Sequence, residues 1–308
     1  TQVELKQLYA RPITLVTTLA DGSQHRRSGY VTEAQSLDSD GGLARKSLLV
    51  RPWIALLEHT LCSRVWQDKS VMDIVEDVFA GHDSIAAWRW DEDVAQHVAN
   101  GLHGPTGGVR KYCVQYRESD GRFISRLLAE EGLNWRVEED EAAPGGHTIV
   151  IFANSLNQAQ DPTSGTLLGG KGIRFHRSSS QEEQDSIQAL GAWRQLGQAG
   201  GSMGTTVLGW DYEANRAIVA DVPTNHQWGG PQASALQSWL TSYDPVADGL
   251  YSHPDQAQFA ATTMQQAREA RLKLWMGEGT VRTLRAGTWF SLSQSTLDSI
   301  NAHDEQKE

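Results

Sequence analysis

A serine flanked by glycines is the first residue that could do chemistry. Gly200-Gly201-Ser202-Met203-Gly204 has the G-x-S-x-G spacing of a nucleophile elbow, and Asp211 or Asp221 followed by His226 completes the chain order of a hydrolase triad. Such an elbow works by joining an apolar strand to a helix, which lifts the hydroxyl above the sheet. Here Gly197-Gln198-Ala199 precedes the glycine pair and the strand-like run Thr205 to Trp210 follows Gly204, so the local pattern predicts a glycine-rich turn. Gly165 with Gly170-Lys171 matches the first part of a phosphate loop. However, Gly172 stands where a hydroxyl should reach magnesium, and a linker is predicted instead. His97 and His103 lie six residues apart with no HExxH pattern, and His176 sits in the strand-like GIRFHR. The histidines are therefore expected to be structural or surface groups. The carboxylates of Glu130-Glu131 and Asp91-Glu92-Asp93 are adjacent and cannot face one another across a sugar, so they are expected on solvated faces. No catalytic, cofactor-binding or metal-ligating residue is nominated. Two rivals from other classes remain: a secreted serine hydrolase using Ser202, and a carbohydrate-binding module stacking sugars on tryptophans such as those of the AAWRW segment at 86 to 90.

Bulk properties narrow the partners. The net charge of −11 repels phosphate backbones and no dense Lys/Arg cluster reverses it locally, so nucleic acid is not an expected partner. Cys62 and Cys113 have neither disulfide-framework nor zinc-finger spacing and read as reduced core thiols. No apolar run is long enough to span a bilayer, so no stable membrane insertion is expected. Eleven tryptophans and 29 glycines suit twisted sheets, tight turns and wide contact surfaces, which favours a β-rich architecture.

The elements follow from periodicity. PITLVTTL from Pro12, GYVTEAQSL from Gly29 and LARKSLLVR from Leu43 alternate as strands, with turns at Asp21-Gly22 and Asp40-Gly41-Gly42. Ser70 and Asp73 have capping-box spacing, ahead of an apolar stripe of Val71, Ile74, Val75, Val78 and Phe79 that ends at Gly81. Residues 83 to 108 read as irregular loops. KYCVQYR from Lys111 alternates as a strand, and Ser119 caps a second helix carrying Phe123, Ile124, Leu127 and Leu128. LNWRVEED and HTIVIFA return to strand pattern around the turn AAPGG. Beyond a linker at 161 to 172, GIRFHR, SIQALGAWRQL and TTVLGWDYE read as strands. A helix is predicted from Pro254 to Trp275, then two strands around Gly287. The expected organisation is a first β-barrel region at 1–57, an inserted α+β domain at 58–160, and a second β-barrel region at 161–308 with a helical insertion around 220–278. The abrupt opening of the first sheet suggests that strands precede it.

Several segments, in order, resemble the VgrG family of type VI secretion spike proteins and the related phage tail baseplate hubs. Arg51-Pro52-Trp53 closing a sheet, Trp66-Gln67-Asp68 leading into a capped helix, and Gln115-Tyr116-Arg117-Glu118-Ser119-Asp120 followed by Arg126-Leu127-Leu128-Ala129-Glu130-Glu131-Gly132 are similar to the family's most distinctive runs. IRFHR, WDYE and LRAGTWFSLS are similar to later landmarks. The resemblance implies an α+β, β-rich hub with two related antiparallel β-barrel domains. It implies a homotrimer whose ring of pseudo-sixfold symmetry docks on a hexameric Hcp tube and bears a needle, expected beyond Glu308, with spike-tip, adaptor or effector proteins. It further implies a structural role that is not enzymatic and needs no cofactor, with assembly in the bacterial cytoplasm and export toward a target cell. A hub of a phage tail or other contractile particle is the nearest alternative.

Overall fold

Two caps and two long apolar stripes organise the first half of the chain. In the computed structural model, residues 4–39, 44–166, 172–176, 185–194, 204–225, 235, 239–246 and 250–294 are described. Their elements, in chain order, are β1 (Pro12–Thr18), β2 (Gln24–Ser39), β3 (Ala44–Arg51), a 3-10 helix (Trp53–His59), β4 (Cys62–Lys69), α1 (Val71–Ala80), β5 (Trp88–Trp90), α2 (Val94–Ala99), β6 (Arg110–Glu118), α3 (Asp120–Glu130), β7 (Asn134–Glu139), β8 (His147–Phe152), α4 (Pro162–Thr166), β9 (Ile173–Phe175), β10 (Ser186–Arg194), β11 (Gly204–Asp211), β12 (Arg216–Pro223), β13 (Thr241–Pro245), α5 (Pro254–Glu269), β14 (Lys273–Gly279) and β15 (Leu292–Ser293). The α+β, β-rich class expected from the pattern is the class the chain adopts.

The caps form as predicted, because each is written within four residues. The Ser70 hydroxyl accepts from the Asp73 amide while the Asp73 carboxylate accepts from the Ser70 amide, which satisfies two donors that α1 would otherwise leave orphaned. The Ser119 hydroxyl accepts from the Arg122 amide at the start of α3. The stripes of both helices are buried, with Ile74, Phe79, Phe123, Ile124 and Leu127 fully enclosed. They pack with Trp53, Leu57 and the β8 residues Ile149 and Ile151 into one core. Trp53 meets Phe79 edge-on at 4.8 Å, and Trp66 stacks on Phe123 at 5.1 Å. Each such side chain contributes about 1.5–3 kcal/mol by leaving water, so this cluster dominates the stability of the first half.

A second, smaller core lies under α5. Ala257, Ala260 and Ala261 let that helix sit close on Val207 of β11 and on Ile218 and Ala220 of β12, with Tyr251 closing one side. Leu102, from the segment before β6, belongs to this core, and Phe259 of α5 meets the His97 ring at 5.8 Å. The two halves are thus joined through residues 97 to 103.

Three expectations need correction. The segment 83 to 108 is not all loop: it contains β5, α2 and a 3-10 turn at Gly104–Thr106. β5 has only three residues, and it exists because it pairs in parallel with β8, some sixty positions later, while Trp88 packs on Phe79 at 5.4 Å. The predicted long helix ends at Glu269, and Lys273–Gly279 becomes β14 by pairing antiparallel with β10. Around Gly287 the chain is irregular apart from a bridge between Gln160 and Trp289, before the short β15. The strands pair both antiparallel and parallel. β1-β2-β3 and β4-β6 are antiparallel, but β5 on β8, β9 on β10, β15 on β9 and β13 on β11 are parallel. The Asp40 to Gly42 turn lies outside the described residues.

Candidate assembly surface and the motifs beneath it

The sequence motifs turn out to be the framework of this surface. In Arg51-Pro52-Trp53, Pro52 starts the 3-10 helix and Trp53 is fully buried, its indole N–H donating to the Ala87 carbonyl at 3.0 Å. The Trp53 amide donates to Nε2 of buried His147 at 3.0 Å, so that ring carries its proton on Nδ1, toward the Gly145 carbonyl at 2.9 Å. Arg51 is different. It is exposed, and its nearest ionic partner is Glu33 at 3.8 Å.

The second motif centres on Asp120, which is 1% exposed. Its carboxylate receives the Arg64 guanidinium, His82 Nε2 at 2.9 Å and the Gln115 amide nitrogen at 2.8 Å, while its own amide donates to the Thr60 hydroxyl. Burial alone would raise its pKa, but the bonds from Gln115, His82 and Arg64 outweigh that and hold the carboxyl below its ordinary value. Gln115 also donates to the Glu118 carbonyl, and Glu118 pairs with Arg126 at 2.9 Å. One carboxylate thus ties β4, α1's C-terminal turn, β6 and α3 together. Each of these bonds holds one element of the fold to another.

The Glu130-Glu131 pair is an ionic joint instead of a solvated face. Arg110 reaches Glu130 and Glu131 at 2.7 Å each. Burial pushes the Glu131 carboxyl up despite Arg110, and burial with Arg110 nearby pushes the His103 ring down to about 4. His97 Nε2 bonds the Glu131 carbonyl at 2.7 Å. His97 and His103 are therefore brought together, but around an arginine and a carboxylate. Among the described residues no group of three or more His, Cys, Asp or Glu side chains could hold a metal ion.

Among the described residues, several of the remaining chemical candidates have local work. Asp211 accepts from the Glu213 and Ala214 amides and shapes the β11–β12 turn, and Asp221 accepts from the Thr206 hydroxyl. Ser202, His226 and the Gly170-Lys171 pair lie outside the described residues, and Gly165 sits in α4. Asp91 pairs with Arg136, and Asp93 accepts from the Ala153 and Asn154 amides. Trp90 donates to Glu76, so with Trp88 in the core the AAWRW segment is no open sugar platform. Cys62 and Cys113 are free, and burial raises the Cys113 thiol pKa.

What the fold leaves facing outward is apolar sheet surface. On the two-stranded sheet β4-β6 the inner face carries Trp66, Cys113 and Gln115, whereas Val65, Tyr112, Val114 and Tyr116 point out, Tyr116 being 73% exposed. Every residue of β3 is exposed, including Leu48, Leu49 and Val50, and β1 adds Leu15 and Val16. A lone two-stranded ribbon is marginal in water, and uncovered strand edges are templates for pairing. Alternation of apolar residues alone could have flagged the outer face of β6, but only the packing shows which of its two faces is left uncovered.

The phage tail baseplate hub (GPD) family model matches residues 1–304. The chain belongs to this family. Among curated proteins the hub chain is similar to two type VI secretion system spike proteins of Pseudomonas aeruginosa. VgrG1a is 30% identical over 300 residues, covering 96% of this chain, and VgrG1b is 24% identical over 298 residues, covering 94%. The chain spans 41% and 35% of the lengths of those relatives. Among solved structures the hub resembles the E. coli c3393 protein, described as a type VI secretion component similar to the T4 tail proteins gp27 and gp5. That match has a TM-score of 0.58 at 14% identity, over 96% of this chain and 57% of the other. It also resembles the 43 kDa tail protein of prophage MuSo2 from Shewanella oneidensis, with a TM-score of 0.52 at 11% identity, over 91% of this chain and 79% of the other.

Proposed function

We propose that this chain is the hub segment of a type VI secretion spike, acting by shape and self-assembly and not by catalysis. Three copies close a ring through their uncovered sheets, the ring docks on the Hcp tube, and the assembled spike carries its needle and effector or adaptor proteins out of the bacterial cell. The observation that carries this reading is the outward apolar face of β4-β6 and β3 in a chain that belongs to the baseplate hub family. Faces of this kind are normally covered by a partner. The residues at 1–57, 58–160 and 161–308 serve in this reading as first sheet region, insertion and second sheet region of each protomer.

Light scattering across a concentration series tests it. A species of three times 33.9 kDa is expected, and it should co-sediment with Hcp hexamers. A strict monomer at every concentration, with no Hcp binding, would overturn the ring. A dimer would contradict threefold closure.

A further inference from the structure

A cleft of about 320 Å³ opens where β2, β3 and β7 meet the segment at 285–286. Its charge is unusual for this chain. Arg27, Arg51 and Arg285 are among its lining residues, against one acidic residue, Glu139. Arg136 also contributes, but its charge is met by Asp91 and Glu138. Arg27 is held by main-chain bonds to the Arg282 and Leu284 carbonyls at 3.1 and 2.6 Å, and Arg285 by one to the Arg26 carbonyl at 3.3 Å. Carbonyl oxygens fix those groups in place without neutralising them. Among the described residues neither has a carboxylate within ion-pair distance, and Arg51 has only Glu33 at 3.8 Å.

Glu139 completes the picture. Its Oε1 accepts from the Ser28 amide at 3.2 Å, while its buried Oε2 has no hydrogen-bond partner among the described residues. Val50 and Trp135, both exposed, form an apolar rim. A basic slot beside an apolar rim has the make-up of a protein contact, in which fixed arginines receive carboxylates as water leaves.

We propose that this cleft is the basic half of a contact between copies of this chain, receiving one or more Asp or Glu side chains from a second copy. The proposal rests on the hub reading for the presence of that copy. The partner's chemistry follows from charge: with 38 acidic against 27 basic residues the surface offered by another copy is mostly negative. At −11 each, two copies repel unless a local positive site meets an acidic one. The same reasoning accounts for Arg51, the exposed residue of Arg51-Pro52-Trp53, whose guanidinium has only a long contact to Glu33 at 3.8 Å among the described residues.

The experiment uses the full chain with Arg51→Glu, Arg51→Gln and Arg51→Lys. Because Arg51 is exposed, each variant should keep the wild-type circular dichroism. Charge reversal should weaken self-association at least tenfold, and Arg51→Gln less. The Arg51→Lys amine should be joined by a carbodiimide to carboxylates of another chain, the amide forming as the urea by-product leaves. Mixed isotope-labelled and unlabelled protein makes such inter-chain links visible by mass spectrometry. Wild-type assembly with undiminished association of Arg51→Glu, or links confined within one chain, would overturn the cleft while leaving the ring intact. A dimer weakened by Arg51→Glu would support the cleft and sink the ring. A wild-type monomer throughout would overturn the cleft as a self-contact.

Discussion

Replacing Asp120 with alanine should be among the most damaging single changes in the first half of the chain. The carboxylate is buried and receives Arg64, His82 and Gln115. Removing one partner of a buried pair costs about 3–5 kcal/mol, chiefly because the other is left desolvated. Here the Arg64 side chain is 33% exposed and can turn toward water, which lowers the cost, but Gln115 is fully buried and cannot. Its stranded donor alone costs about 1–3 kcal/mol. We expect a loss of about 3 kcal/mol in urea unfolding followed by tryptophan fluorescence, since Trp66 and Phe123 stack beside this centre. Glu118→Gln, at the more exposed Arg126 pair, should cost less than about 1 kcal/mol. The pH dependence has a definite sign. A carboxyl depressed in the folded state adds stability above its ordinary value of 3.8 and loses it as pH falls through the lower folded value. The advantage of wild type over Asp120→Asn should therefore hold at neutral pH and shrink at acid pH below 3.8. An Asp120→Ala loss under about 1 kcal/mol, or an advantage over Asp120→Asn that is flat down to acid unfolding, would refute the keystone role.

Other outcomes follow from the same structure. His103, ordinarily near 6.5 and held at about 4, binds more protons unfolded than folded, so wild-type stability should fall on acidification across that window while His103→Gln, in matched denaturation curves, lacks this component. Glu131 has the opposite sense: its folded pKa is raised above 4.5, so wild type should lose stability relative to Glu131→Gln as pH rises through the window above 4.5, and a difference independent of pH there would refute the buried reading. Val65→Lys, on the outward face of β4, should leave unfolding within about 0.5 kcal/mol of wild type yet reduce self-association in sedimentation. Gly172→Ala would put a Cβ at 2.3 Å from the Ser291 carbonyl oxygen at a φ of +99°, so about 2 kcal/mol or more should be lost there, seen as faster hydrogen exchange at the Ile173 amide that bonds the same oxygen.

Some features were legible in the linear text because their physics is local. The Ser70–Asp73 box, the Ser119 cap and the apolar stripes of α1 and α3 involve residues within a few positions of one another, so spacing alone specifies them. The ordered motifs likewise pointed to the family that the comparison shows. Other features depend on partners far along the chain. β5 is a strand because β8 lies beside it, β14 is a strand where helical periodicity ran on, and the outward face of β4-β6 is known only once Trp66 and Cys113 are seen packed inward. The roles of the motif residues belong to this second group. Asp120 is buried against Arg64 and His82, which lie 56 and 38 positions away, and Arg51 joins a basic cleft with Arg27 and Arg285 only when the ends of the described chain meet. Local backbone preferences act over one helical turn and can be read in sequence, whereas desolvation and charge pairing depend on what the fold brings within a few ångströms, and that was decided by the tertiary structure.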